Sequence, residues 1–238
     1  MRKRSMLLAA LVALVSSNGA RGALVEVSAS IANFQYQLFD LDPNDGIAPS
    51  IRFDLLPSPK ASLYRDPYWM SLAAQNQNRD YQPVTLSHGR DTVSGRVEPD
   101  GASLGVSLRD GSAYVDMEQI ASYSLSPNTR FVFSADAAVN SSAAPGAYAY
   151  AWSGLSGMIM PTPDSVISFE GGALESGEGM VSVGAASGAV PASGVVFIGA
   201  HAHVSSINPI PEPGRAALLA AGLMLLAAHA GVRTRARA

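Results

Sequence analysis

No cysteine occurs among the 238 residues. That absence excludes a disulfide-stapled scaffold, thiolate metal sites and thiol redox chemistry, so an exported domain of this sequence rests on its core alone. Histidine is scarce, at four residues, which leaves few ligands for a transition metal. Helical periodicity is missing between Leu24 and Asn208, and no internal repeat of fixed period is visible. Basic residues are thin in the middle of the chain. Arg2, Lys3, Arg4, Arg21, Arg215, Arg233, Arg235 and Arg237 account for 8 of the 16. Residues 24–208 keep 8 basic against 18 acidic side chains, a formal charge of −10 where the whole chain shows −3. So acidic a body argues against nucleic acid or anionic lipid as partners.

The two terminal segments carry addresses. Arg2, Lys3 and Arg4 precede ten apolar residues, Met6 to Val15, and then small residues up to Ala23. A positive start, a short apolar run and a small-residue exit form a secretory signal peptide, placed at 1–22 as an N-terminal signal helix that the export machinery removes. Near the other terminus, Pro211-Glu212-Pro213-Gly214 leads into a 17-residue apolar run, Ala216 to Val232, broken only by His229 near its basic end and followed by Arg233, Arg235 and Arg237. As a helix, that run reaches about 25 Å at 1.5 Å per residue, close to a bilayer core if Arg215 and Arg233 snorkel. One arginine before the run and three after it place the tail in the cytoplasm and the preceding domain outside. Pro211 and Pro213 remove two amide donors and keep the tripeptide extended, displaying Glu212 to a protease-type groove.

Pro211, Glu212 and Pro213, the 216–232 helix and the 233–238 basic tail together resemble the PEP-CTERM sorting signal of Gram-negative bacteria that make exopolysaccharide. The resemblance covers about the last 28 residues and assigns 209–238 to the signal. It implies an exosortase-like membrane protease or transpeptidase as partner, cutting near the tripeptide. It also implies an inner-membrane-anchored form facing the periplasm, and then a cell-surface or matrix location. The stretch Leu125 to Ala135 is similar to a segment common in the ectodomains of such proteins; its physical content is a Pro-Asn turn feeding a half-buried strand.

Residues 23–208 read as an all-β ectodomain, a β-sandwich or jelly roll. Phe131, Phe133, Ala135, Ala137 and Val139 alternate with mostly polar neighbours, and Val196, Ile198, Ala200, Ala202 and Val204 form a second apolar face. Turn chemistry recurs at 42–46, 99–101, 110–111, 126–128 and 144–146. Residues 57–83, with four prolines, read as a long irregular loop or short helix, and 171–193 as weak edge strands.

Candidate chemistry is sparse, and no catalytic residue is assigned. Gly101-Ala102-Ser103-Leu104-Gly105 matches the spacing of a hydrolase nucleophile elbow, but a turn precedes it and a strand follows, so a hairpin pattern is expected. Asp40, Asp42, Asn44 and Asp45 offer oxygen ligands for calcium, although Pro43 and Ile51 exclude an EF-hand. His201 and His203 share a strand face and would chelate a metal given a third ligand. Tyr148, Tyr150 and Trp152 share another; core packing is the commoner fate of such a stripe, and stacking on sugar rings the functional one. The expected function is a non-enzymatic surface protein of the envelope, exopolysaccharide or biofilm matrix. The alternatives are a carbohydrate-binding or adhesive module with calcium-dependent loops, and a surface hydrolase built on Ser103 or an acid pair.

Overall fold

A computed structural model describes residues 24–66, 68–162 and 165–206, with the backbone alone for 170–172. The signal segment 1–22, the tripeptide Pro211–Pro213, the 216–232 run and the arginines 233, 235 and 237 lie outside the described residues. Contacts gather Ala23–Ile207 into one compact unit. Twelve strands are described, and no helix long and apolar enough to cross a membrane is among the described residues.

The strands are β1 (Val25–Asp40), β2 (Ile51–Tyr64), β3 (Leu72–Gln77), β4 (Val84–His88), β5 (Asp91–Glu98) and β6 (Gly101–Leu108). They continue as β7 (Ser112–Leu125), β8 (Thr129–Ala143), β9 (Tyr148–Thr162), β10 (Ser165–Leu174), β11 (Gly177–Ala186) and β12 (Ala192–Ser205). Two six-stranded antiparallel sheets result, ordered β11-β8-β1-β6-β5-β4 and β10-β9-β12-β7-β2-β3. The all-β architecture is consistent with a β-sandwich.

Period-two alternation builds the core. The inward residues of β8 (Phe131, Phe133, Ala135, Ala137, Val139) and of β12 (Val196, Ile198, Ala200, Ala202, Val204) are all buried. One aromatic cluster bridges the layers: Phe133 of the first sheet stacks on Phe131 at 4.1 Å and meets Phe53 and Tyr123 of the second at 5.9 and 5.8 Å. Beside it, β1 shifts register between Ala32 and Gln35, where Asn33 takes a φ of 56°. The shift carries Phe34 into the cluster, 5.3 Å from Phe133.

The reading of 57–83 as loop or short helix is corrected. β2 runs through Pro57 and Pro59 to Tyr64, and β3 occupies 72–77. Both prolines pair with β7 on one side, while β3 pairs only with Lys60–Tyr64, so no ladder donor is demanded of them on the other. Within 171–193, β10 and β11 are indeed the outermost strands of their sheets.

Hydrogen bonds tie the two ends of the unit. At one end, Ser126, Thr129 and Ser187 interlock: the Ser187 hydroxyl donates to the Ser126 carbonyl at 2.7 Å and accepts the Thr129 amide at 2.9 Å. At the other, buried Asp91 accepts the amides of Arg109 at 2.6 Å and Asp110 at 3.2 Å. The Ser206 hydroxyl donates to the Arg109 carbonyl at 2.6 Å, so the described chain leaves the unit at this second end.

Candidate functional site

The outer face of the second sheet carries the densest group of rings and ionisable side chains. Register sets it out in rows. Trp152, His201, Asp116 and Lys60 face one another across β9, β12, β7 and β2; Tyr150, His203, Tyr114 and Ser62 form the next row. Tyr148, Ser205, Ser112 and Tyr64 form the third. At about 4.8 Å between strands, each row spans about 14 Å.

Within the first row, Trp152 stacks on His201 at 5.7 Å and 22°, and Tyr114 meets the same imidazole edge-on at 4.9 Å. Asp116 lies 3.8 Å from His201 Nδ1 and 3.5 Å from Lys60 Nζ. Glu118 follows Asp116 on this face; burial first, then the Asp116 charge, raises its carboxyl above the ordinary value. Burial, followed by Asp116 and Glu118, raises the Tyr114 phenol as well.

His203 sits in a ring cage. Trp69 approaches it edge-on at 4.5 Å and Tyr148 at 5.4 Å, and Tyr64 packs on Trp69 at 4.6 Å. Trp69 holds a φ of 64°, a left-handed conformation that is rare for a bulky residue and marks stored strain. Burial, and secondarily the neighbouring His201, lower the His203 pKa. A pKa lower in the folded than in the unfolded chain stabilises the fold above the unfolded value of about 6.5, and that contribution is lost as pH falls through the folded value. Urea midpoints should therefore drop between about pH 7 and pH 5, and His203→Gln should flatten that drop. Glu118 acts in the opposite sense, its contribution being lost as pH rises, so the difference between wild type and variant isolates His203. An unchanged slope in the variant would remove histidine from the account.

The rings of Tyr148 and Tyr150 are 47% and 38% exposed, and Trp152 is half-buried. Core packing, the commoner fate expected of that stripe, is not what the structure shows. No protein-family model, curated protein or solved structure matches the chain.

His201 and His203 do lie on one face of β12, but among the described residues no group of three or more histidines and carboxylates is placed to hold a metal ion. In the 40–45 loop three carboxylates accept nearby backbone amides. Asp40 accepts the Asp42 amide at 3.0 Å, Asp42 the Asn44 amide at 3.2 Å, and Asp45 the Ile47 amide at 2.7 Å. The second Asp45 oxygen accepts Asn128 Nδ2 at 2.7 Å, and this bond, ahead of the Ile47 amide, holds the Asp45 carboxyl below its ordinary value. The loop acts as a turn pinned to Asn128. Ser103 is exposed in mid-strand on β6, opposite Ser30 and Arg96, with no helix after it, so the nucleophile-elbow geometry is absent.

Sequence reasoning missed Trp69, Tyr64, Tyr114 and Asp116 as site residues. The alternation Tyr114, Asp116, Glu118 was a signal that one face of β7 is polar; that it adjoins the histidines is a matter of register.

Proposed function

We propose that this chain is an exported, non-enzymatic surface protein, sorted through a C-terminal PEP-CTERM signal and associated with exopolysaccharide, envelope or biofilm matrix. The carrying observation is the sequence Pro211-Glu212-Pro213 followed at once by the apolar run 216–232 and by Arg233, Arg235 and Arg237. The signal peptide at 1–22 supports the same route, as does a cysteine-free, acidic sandwich-like body. In this reading an exosortase-like enzyme processes the membrane-anchored form, which faces the periplasm, and releases the ectodomain to the surface or matrix.

The intact mass of the mature protein from its exopolysaccharide-producing host tests this. The wild-type chain should end near Pro211–Gly214, whereas Glu212→Ala should retain the tail. Retention of residues 214–238 in both would leave a permanent anchor and sink the sorting account.

A second reading concerns what the ectodomain does once delivered. The exposure of Tyr148 and Tyr150 favours a carbohydrate-binding or adhesive face, with rings to stack on sugars and Asp116, His201 and Lys60 to hydrogen-bond hydroxyls.

A further inference from the structure

The end of the unit where the described chain departs carries a second surface, unlike the sugar-type face. Tyr64, Ser112 and Ser205 are in register there, so the 65–71 loop, the 109–111 turn and the exit at Ser206 are neighbours. The Asp91 bonds to Arg109 and Asp110 add the 88–91 turn to this end.

The loop holds two large apolar side chains in water. Met70 is 85% exposed, the most of any large apolar residue described, and Tyr68 is 74% exposed. Their exposure is built in. Asp66 Oδ1 accepts the amides of Tyr68 at 2.9 Å and Met70 at 3.2 Å, the Arg65 amide bonds the Ser71 carbonyl at 2.7 Å, and the Ser112 hydroxyl bonds the Asp66 carbonyl at 2.7 Å. Between them Trp69, in its left-handed conformation, packs back on Tyr64 and His203. A strained backbone that keeps Tyr68 and Met70 solvated costs free energy unless something covers them.

Charge and tether length say what covers them. The body is acidic overall, which disfavours an anionic surface, but Arg65, Arg90 and Arg109 gather at this end, three of the eight basic residues in 24–208. Their acidic neighbours are Asp66 and Asp91, turned onto backbone amides, and the exposed Asp110, so this end is locally balanced where the rest of the body is strongly acidic. Residues 207–215, nine in number, separate the exit from the apolar run at 216; fully extended they reach about 30 Å. Tyrosine, an apolar thioether and arginine beside phosphates match the interfacial layer of a bilayer.

We infer that this end of the ectodomain docks on a phospholipid surface through Tyr68 and Met70, with Arg65, Arg90 and Arg109 paired to headgroup phosphates. The inference rests on the proposed membrane insertion of 216–232. Docking limits how far the Pro211–Pro213 tripeptide strays from a membrane-embedded processing enzyme.

The absence of cysteine makes the test direct. Full-length protein carrying Met70→Cys, Asn44→Cys or Met224→Cys is labelled with an environment-sensitive fluorophore and reconstituted in phosphatidylethanolamine–phosphatidylglycerol vesicles containing spin-labelled lipid. Labels at 224 and 70 should be blue-shifted and quenched, the label at 44 neither, and Tyr68→Ser should abolish quenching at 70. A water-exposed label at 70 with a buried one at 224 overturns docking and spares the anchor. A water-exposed label at 224 overturns the anchor itself, and with it the inference. Equal quenching at 44 and 70 reveals non-specific adhesion, and a shift at 70 that vanishes on dilution with lipid reveals a second protein copy; either overturns it.

Discussion

Phe133→Ala should lower the unfolding free energy by about 3–5 kcal/mol, a large part of the roughly 5–15 kcal/mol that a typical domain has. Phe133 is fully buried. Its ring touches Phe34 and Phe131 on the first sheet and Phe53 and Tyr123 on the second, so truncation opens a cavity where the layers are joined. No disulfide limits the unfolded chain, and nothing covalent offsets the loss. Urea unfolding followed by intrinsic fluorescence reads the change. Phe133→Leu, nearer in volume, should cost less than the alanine variant. If alanine is tolerated within about 0.5 kcal/mol, the cluster is not what holds the layers together.

Replacing Tyr148, Tyr150 and Trp152 together by alanine should weaken retention on the host exopolysaccharide by about two orders of magnitude, taking about 1 kcal/mol per stacked ring. Tyr150 lies in the open and should contribute little to stability, while Tyr148, though 47% exposed, also packs on His203. Trp152 rests on His201, so its loss will lower the urea midpoint somewhat, and Trp152→Phe serves as the milder partner. Retention is read by co-sedimentation with purified polysaccharide, and circular dichroism checks the fold. Wild-type-like retention in a folded triple variant would end the carbohydrate reading without touching the sorting account.

The two apolar stripes on β8 and β12 were legible because the apolar residues recur at every second position, and that face is buried from Thr129 to Val139 on β8 and throughout β12. Four of the five turn signals fall between strands and the fifth, 99–101, ends on the first residue of β6, since Asp, Asn, Pro and Gly there leave little choice of conformation. Residues 57–64 were not legible. Pro57 and Pro59 argue against a strand unless one edge is left unpaired beside them, and that is a property of its neighbours. The tyrosine stripe was ambiguous for a related reason. On β9 the rings alternate with Ala149 and Ala151, so both faces are apolar and size alone points the wrong way. Pairing of Ala151 with Ala202 and of Tyr150 with His203 decides the matter: β12 is already committed by Val196, Ile198 and Val204, and the rings must follow the histidines outward. The same register places Gln119 in the core, between Pro57 and Ile198, while Ile120 is left half-buried on the outer face.

Local chemistry thus sufficed for whatever depends on neighbours in sequence: strand periods, turn positions, the acidic charge of the body and the terminal motifs. Tertiary structure alone decided which faces look outward, which strands are edges, and how Trp69 and His203 meet. The reason is that a strand has two equivalent faces and two equivalent edges until another strand pairs with it.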